Sequence, residues 1–413
     1  VYYPDNLFVY QQAKRERIMR SLIILGLAWA AFSSPAGAQS LSMDEVLRQV
    51  EANNKELKAN YQSLEAQKVE AKLDNNLPDP SVSYSHFWGN KEDMGFTGEF
   101  VASQSFDFPT LYYQRGKLAK ERAAGLDRQG ASFRQQVLLQ AQTICLDLVL
   151  LNQQRALLAT RLDNAERLSA FYASKLEKGD ANVIETNKID LELLNTRTEY
   201  DLNENAREQK LRELALLNGG VEVAFDDTTY AIADELPDFE SLRQEAIEAD
   251  PNLQALRNDR VTALRQIQVN KAKGLPGLEL GYRMNPSTGG RRYNGFLVGI
   301  SIPLFSNRNY VRQAKAQALY AENRLESAND TAENELARLY SQALTLRESL
   351  DKYQSVLDKQ NNVEILERAI QAGQISMIEY FVNVTTYYQS LQNYFTLQNQ
   401  YQKVMAQLYK YRL

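Results

Sequence analysis

The chain has 413 residues, only 10 prolines and 19 glycines, and a formal charge of −5. That length exceeds one small core, and the shortage of helix breakers suits long helices rather than a loop-rich fold. One cysteine, Cys145, excludes an intramolecular disulfide, one histidine, His86, leaves no set for a histidine-based metal site or triad, and no basic surplus points to nucleic acid.

At the N-terminus Arg20 precedes the apolar run Leu22–Ala31, followed by Ser33, Ser34, Pro35 and Ala36-Gly37-Ala38. This is the pattern of an export signal over residues 1–38, with residues 1–18 an extension upstream of Met19. Gln39, not cysteine, follows the expected cleavage site, so no lipoprotein anchor of the usual kind is expected. The removed piece holds four basic and two acidic residues, so the mature charge goes from −5 to −7. No later segment approaches about 18 consecutive apolar residues, the length of a spanning helix. The mature protein is then either soluble outside the cytoplasm or crosses a membrane as strands.

The remainder repeats itself. Leu57 pairs with Leu253, Pro80 with Pro276 and Phe106 with Ile302, each 196 residues on, and Gly179 pairs with Gly373 at 194. The order points to a duplicated unit, residues 39–236 and 237–413. Each unit should open with a helix, Leu41–Asn76 and then Phe239–Lys273, ended by Pro78 or Pro276. Two strands follow, about Ser81–Trp88 and Phe96–Phe108 in the first unit, and about Leu278–Met284 and Tyr293–Leu304 in the second. The second pair shows a period of two: Phe296, Val298, Ile300 and Ile302 alternate with Leu297, Gly299 and Ser301.

A proline-free helix of more than about 60 residues comes next, Tyr113–Lys178 and Tyr310–Ala372, about 95 Å long. Leu158, Leu162, Ala165, Ser169, Tyr172 and Leu176 keep coiled-coil spacing, as do Leu336, Tyr340, Ala343, Leu350 and Leu357. Gly179 and Gly373 then end their helices as C-caps. Asn182 and Ser376 start return helices to Asn218 and Tyr411, each with a glutamate three residues on, Glu185 and Glu379, in a capping box. Two helical hairpins thus turn in the same way. Each return helix is about half as long as its partner. The spacing suggests that Phe239–Lys273 completes the first return helix and Leu41–Asn76 the second, giving four helical columns. Strands would lie at one end and reversal turns at the other.

Four strands alone have open edges, which a bilayer does not tolerate. Three copies supply twelve, an even number within the range of outer-membrane barrels.

The duplicated turns "KGDANVIE" and "AGQISMIE", the junctions "SQSFDFPTLYYQR" and "ISIPLFSNR", and the proline-led strands after "NNLPDP" and "KGLPG" resemble the TolC family of outer-membrane efflux proteins, over about Leu41–Leu413. Within that family "NNKELKA…LPDPSVSY" and "SQSFDFPTLYYQR" are most similar to the branch paired with cation-exporting RND pumps. The resemblance implies a mainly α fold with a β-barrel part: a homotrimer whose 12-stranded barrel sits in outer-membrane lipid and continues as a periplasmic α-helical barrel. It implies a channel rather than an enzyme, without cofactor or metal, docked to a periplasmic adaptor and an inner-membrane pump of RND or ABC type. The family's docking positions fall on Gly179, Asp180, Ala181, Asn182 and Val183, and on Gly373, Gln374, Ile375, Ser376 and Met377. Its acidic pore-entrance positions fall on Glu185 and Glu379. The family's second acidic position is occupied by Lys188 and Val382.

Other residues suggest no chemistry. Phe87, Trp88 and Phe96 suit a barrel interface, His86 lies among them, Cys145 sits in an apolar helical stretch, and Tyr387, Tyr388, Tyr394 and Phe395 suit packing between helices. No P-loop, G-x-S-x-G or H-E-x-x-H is present. The competing architecture is a periplasmic adaptor or elongated coiled-coil chaperone without a channel, which would carry one hairpin rather than two.

Overall fold

The computed structural model describes residues 41–230, 236–358 and 363–413, so the export signal expected over residues 1–38 lies outside the described residues. Helices α1 (Met43–Asn53) and α2 (Lys55–Leu73) lead into strands β1 (Ser81–Trp88) and β2 (Phe96–Phe106). Helices α3 (Pro109–Glu177) and α4 (Val183–Leu217) form the first hairpin. The pattern recurs as α5 (Phe239–Ala249), α6 (Pro251–Ala272), β3 (Gly277–Pro286), β4 (Arg292–Ser301), α7 (Tyr310–Leu357), α8 (Val363–Gln371) and α9 (Met377–Leu408). The expected long helix Tyr310–Ala372 is seen as α7 and α8 on either side of residues 359–362, which lie outside the described residues. Among the described residues no helix is long and apolar enough to cross a membrane.

The opening helix of each repeat is broken where one continuous helix was expected. Asn54, with ψ of 123°, separates α1 from α2, and Asp250, with ψ of 115°, separates α5 from α6. Both break residues restart a helix by accepting from its free amides: Leu57 N–H on Asn54 at 2.8 Å, and Asn252 and Leu253 N–H on Asp250 at 2.8 and 3.1 Å. In the second repeat Pro251 adds its own steric bar to helical geometry at the preceding residue. The two breaks are 196 residues apart, so the kink is part of the repeat.

That kink corrects the expected pairing of half-columns. Asn54 Nδ2 donates to the Leu217 carbonyl at 2.8 Å, and Asn53 Nδ2 to Asn218 Oδ1 at 3.1 Å. The end of α4 therefore meets the start of α2 from its own repeat. Leu242 and Ala246 of α5 pack with Val404, Met405 and Leu408 at the end of α9 and with Leu336, Leu339, Ala343 and Leu346 of α7. Lys410 Nζ lies 3.8 Å from Asp250 Oδ2. So the turn just after α9 meets the start of α6, again within one repeat. Each repeat closes on itself rather than on its twin, because the capping side chain at the kink meets the end of its own return helix, through the Leu217 carbonyl in the first repeat and the Lys410 ammonium in the second.

The resulting wall is one helix layer thick. Near the sheet the order is α2, α3, α6, α7; toward the turns it is α4, α3, α9, α7. α3 spans both levels, and its 69 residues reach about 100 Å. Close packing on α6 needs Gly125: a Cβ there would stand 2.7 Å from Asn258 Nδ2. Asn258 uses that space to donate to the Glu121 carbonyl at 2.7 Å while accepting from Arg128 at 2.8 Å. At mid-height Phe225 is fully buried, and Asn152 Nδ2 donates to the Asp227 carbonyl at 2.9 Å, which fastens the segment after α4 to α3.

All four strands form one antiparallel sheet in the order β1-β2-β3-β4, with the two repeats joined at β2–β3. Strands β1 and β4 are its two edges.

Candidate channel wall and hairpin tips

The sheet register sorts side chains onto two faces, since directly paired residues share a face. Val82, Tyr84, His86 and Trp88 of β1 pair with Ala102, Phe100, Gly98 and Phe96 of β2. Phe100, Ala102 and Phe106 pair in turn with Met284, Tyr282 and Leu278 of β3, and Tyr282, Leu280 and Leu278 with Phe296, Val298 and Ile300 of β4. One face is therefore mostly apolar across all four strands, with Gln104 on β2 and Asn294 and Arg292 at the start of β4 among its polar members. It is also bare: Phe296 is 93% exposed and Trp88 77%. An apolar patch of this extent in water would be a strong aggregation surface, whereas in a bilayer it is the required surface. The opposite face carries Ser81, Ser83, Ser85, Thr97, Glu99, Ser103, Ser105, Glu279, Arg283 and Ser301.

The aromatic residues divide between these faces. Trp88 and Phe96 share the apolar one, as expected for barrel interface residues. His86 lies there too, stacked on Phe96 at 5.1 Å and with Nδ1 3.2 Å from the Tyr84 hydroxyl. Phe87 pairs with Thr97 on the polar face, which corrects its expected place at the interface. Adjacent strand residues must point to opposite sides, so Phe87 and Trp88 cannot both meet lipid.

At the far end of the wall the two reversal turns have the same geometry. Gly179 has φ of 79° and Gly373 of 70°, the left-handed region that a side chain disfavours. Behind them Asp180 N–H donates to the Lys175 carbonyl at 2.9 Å and Gln374 N–H to the Ala369 carbonyl at 2.8 Å, closing both helices with the six-to-one bond of a Schellman cap. The return helices then start with reciprocal caps. Glu185 N–H donates to Asn182 Oδ1 at 2.8 Å, and Asn182 N–H to Glu185 at 3.4 Å. Glu379 N–H donates to Ser376 Oγ at 3.2 Å, and Ser376 N–H to Glu379 at 2.8 Å. Those donors, the Ser376 backbone first and its hydroxyl second, hold the Glu379 carboxyl below its ordinary value, so it stays ionised.

The residues expected at the tips are not equally available. Gly179, Asp180, Asn182, Val183, Gly373, Gln374 and Ser376 are exposed, while Ala181 and Ile375 are half-buried. Met377 is 7% exposed and belongs to a core beneath the turns with Leu168, Tyr172, Ile189, Ile370, Tyr380, Val384 and Tyr388. It supports the second tip from inside. Sequence reading did not single out Ile184, which is 69% exposed beside Val183 on the first tip. Glu379 is exposed and Glu185 half-buried.

The hairpins are fastened to each other just above the tips. Arg161 on α3 reaches Glu192 at 2.5 Å and Glu199 at 2.8 Å on α4, and lies 5.7 Å from the Tyr388 ring on α9. The Tyr388 hydroxyl accepts from Asn164 at 3.4 Å, and Tyr394 donates to Gln354 at 2.5 Å across to α7. The tyrosines of α9 thus pack between helices, as their spacing suggested.

Residues 242–411 match the family model described as outer membrane efflux protein. No curated protein sequence matches the chain. Solved structures match nearly end to end. One is CusC, described by the conformational changes that accompany its folding and transmembrane channel formation, at a TM-score of 0.74 and 16% identity over 92% of this chain and 95% of that one. Another is the CmeC outer membrane channel of Campylobacter jejuni, at 0.72 and 15% over 92% and 90%. A third is the open state of the MtrE outer membrane channel of Neisseria gonorrhoeae, at 0.70 and 14% over 89% and 88%. The chain thus carries the sequence pattern of the outer membrane efflux proteins over residues 242–411, and it shares the fold of these outer membrane channels nearly from end to end.

Proposed function

We propose that three copies close into a 12-stranded outer-membrane barrel continued by a helical tube, the exit duct of a tripartite efflux system. The observation that carries this reading is the sheet: four antiparallel strands with two edges, one face mostly apolar and exposed, the other mostly polar. Unpaired strand edges are not tolerated in hydrocarbon, so the sheet must close with copies of itself. The apolar face then meets lipid and the polar face lines the lumen. The adaptor or chaperone alternative gives no reason for that bare apolar face.

The tips face the periplasm in this reading and receive an adaptor's helical hairpins, which link the duct to an inner-membrane pump of RND or ABC type. Docking falls on the exposed tip residues Gly179, Asp180, Asn182, Val183, Gly373, Gln374 and Ser376, with Ala181 and Ile375 at their margin and Met377 holding the turn from beneath. Glu185 and Glu379 ring the entrance, where fixed negative charge favours cations. The cargo is whatever the pump delivers, small molecules or metal cations.

The decisive experiment is the native mass of the detergent-extracted protein from outer membranes, detergent mass subtracted. A trimer is expected; a water-soluble monomer or dimer would overturn the duct. Single cysteines then read the faces. The natural thiol, Cys145, is buried, which with the nearby charge of Asp227 pushes its pKa up to about 12 and keeps it silent. Ser83→Cys should react with a charged, water-borne thiol reagent, and Val298→Cys should not.

A further inference from the structure

Within the strands the polar face carries three charges per chain: Glu99 on β2, and Glu279 and Arg283 on β3. Two of them meet. Arg283 Nε lies 3.0 Å from Glu99 Oε1, across the β2–β3 seam where the two repeats join. The side chains are 48% and 27% exposed, so the pair is open to the water of the lumen rather than sealed in a core. Arg283 pairs directly with Val101, one same-face step from Glu99, so the contact is a diagonal one set by the strand register.

We propose that Arg283 is a specificity-determining residue of the barrel, neutralising Glu99 and so keeping this level of the lumen from becoming a second cation filter. The inference rests on the trimeric duct. Three copies place three Glu99–Arg283 pairs at one height, an alternating ring with no net charge. Removing the guanidinium leaves three carboxylates at that height; removing the carboxylate leaves three guanidinium groups. Glu279, near the helical end of β3, is outside the pair and keeps its own charge. The barrel is then charge-neutral where Arg283 stands and acidic at Glu279, and Arg283 sets how strongly the upper lumen discriminates between ions. The field of such a ring reaches across a lumen only when screening is weak, with a Debye length of about 30 Å at 0.01 M salt and about 3 Å at 1 M.

The test is the reversal potential of purified trimers in planar bilayers across a potassium chloride gradient, at low and at high salt. Arg283→Gln should raise the potassium-to-chloride permeability ratio by roughly twofold at low salt, and Glu99→Gln should lower it, both effects fading at 1 M. Arg283→Lys, which keeps the charge, should return the ratio to that of the natural protein. Unchanged ratios in conducting Arg283→Gln and Glu99→Gln trimers would overturn the inference and leave the duct standing. Natural protein that forms no conducting trimer would instead sink the duct itself. If Arg283→Gln fails to assemble, Glu99→Gln carries the test with the opposite sign.

Discussion

At the tip of the first hairpin Val183 is 58% exposed; at the equivalent place in the second, 194 residues on, Met377 is 7% exposed. The backbone around them is the same, with glycines at φ of 79° and 70°, matched Schellman caps and matched capping boxes. The surroundings differ. Around the second tip, Ile370, Met377, Tyr380, Val384 and Tyr388 find Leu168, Tyr172 and Ile189 of the first hairpin in the same wall. The first tip leaves Val183 and Ile184 uncovered. Duplication copied the turn, and the neighbour decided what the turn buries. The second tip therefore buries its apolar side chain in the wall, and the first leaves its own exposed.

The largest effect should separate the two tips. Met377→Ala should lower unfolding stability by about 2–5 kcal/mol, the usual range for a buried methionine, while Val183→Ala stays within about 0.5 kcal/mol. Denaturant unfolding of the detergent-solubilised protein reads both; equal losses would dissolve the distinction between a buried and an exposed tip side chain.

Next come the glycines, where the tips should behave alike. Nothing lies within 4 Å of a Cβ built on Gly179 or Gly373, so Gly179→Val and Gly373→Val suffer from backbone conformation alone. Each should cost about 1–3 kcal/mol. Both should impair adaptor docking with the trimer intact. Normal binding of purified adaptor by either variant would place docking elsewhere.

Smaller again are the caps. Asn182→Ala and Ser376→Ala should each lose about 1 kcal/mol. A much larger loss at Ser376 would mean that its cap and the core beneath it are coupled, which a double substitution with Met377→Ala would measure.

The smallest effect is in acid. The Glu379 carboxyl is lowered from 4.5 by the Ser376 amide first and its hydroxyl second. A carboxyl depressed in the folded state contributes stability that is fully present above its unfolded value and lost as pH falls through the folded one. The stability gap between the natural protein and Glu379→Gln should therefore be constant above pH 4.5 and close below it. A gap that persists undiminished into stronger acid would refute this capping role.

Much of this was legible in the residues. Glycine, then asparagine or serine, then glutamate three positions on specifies a reversal by local hydrogen bonds alone, and both reversals fall where those residues stand. Alternation located β3 and β4 to within a few residues. The breaks at Asn54 and Asp250 were legible in principle, because Pro251 follows Asp250 and the same 196-residue offset leads to Asn54. They were obscured because apolar spacing continues through both.

Sequence by itself determined the elements whose cause is local: the duplicated order of helix, strand pair and hairpin, the left-handed glycines, the caps and the two-faced strands. Tertiary structure decided everything that depends on a neighbour. It decided that α4 meets α2 and the turn after α9 meets α6, because the Asn54 amide reaches the Leu217 carbonyl and the Asp250 carboxylate stands near Lys410. It decided that Phe87 joins the polar face, that Met377 is buried while Val183 is not, and that Glu99 meets Arg283 across the seam. A helix cap is closed within a few residues of itself, whereas a face becomes buried only when something from far along the chain is folded against it.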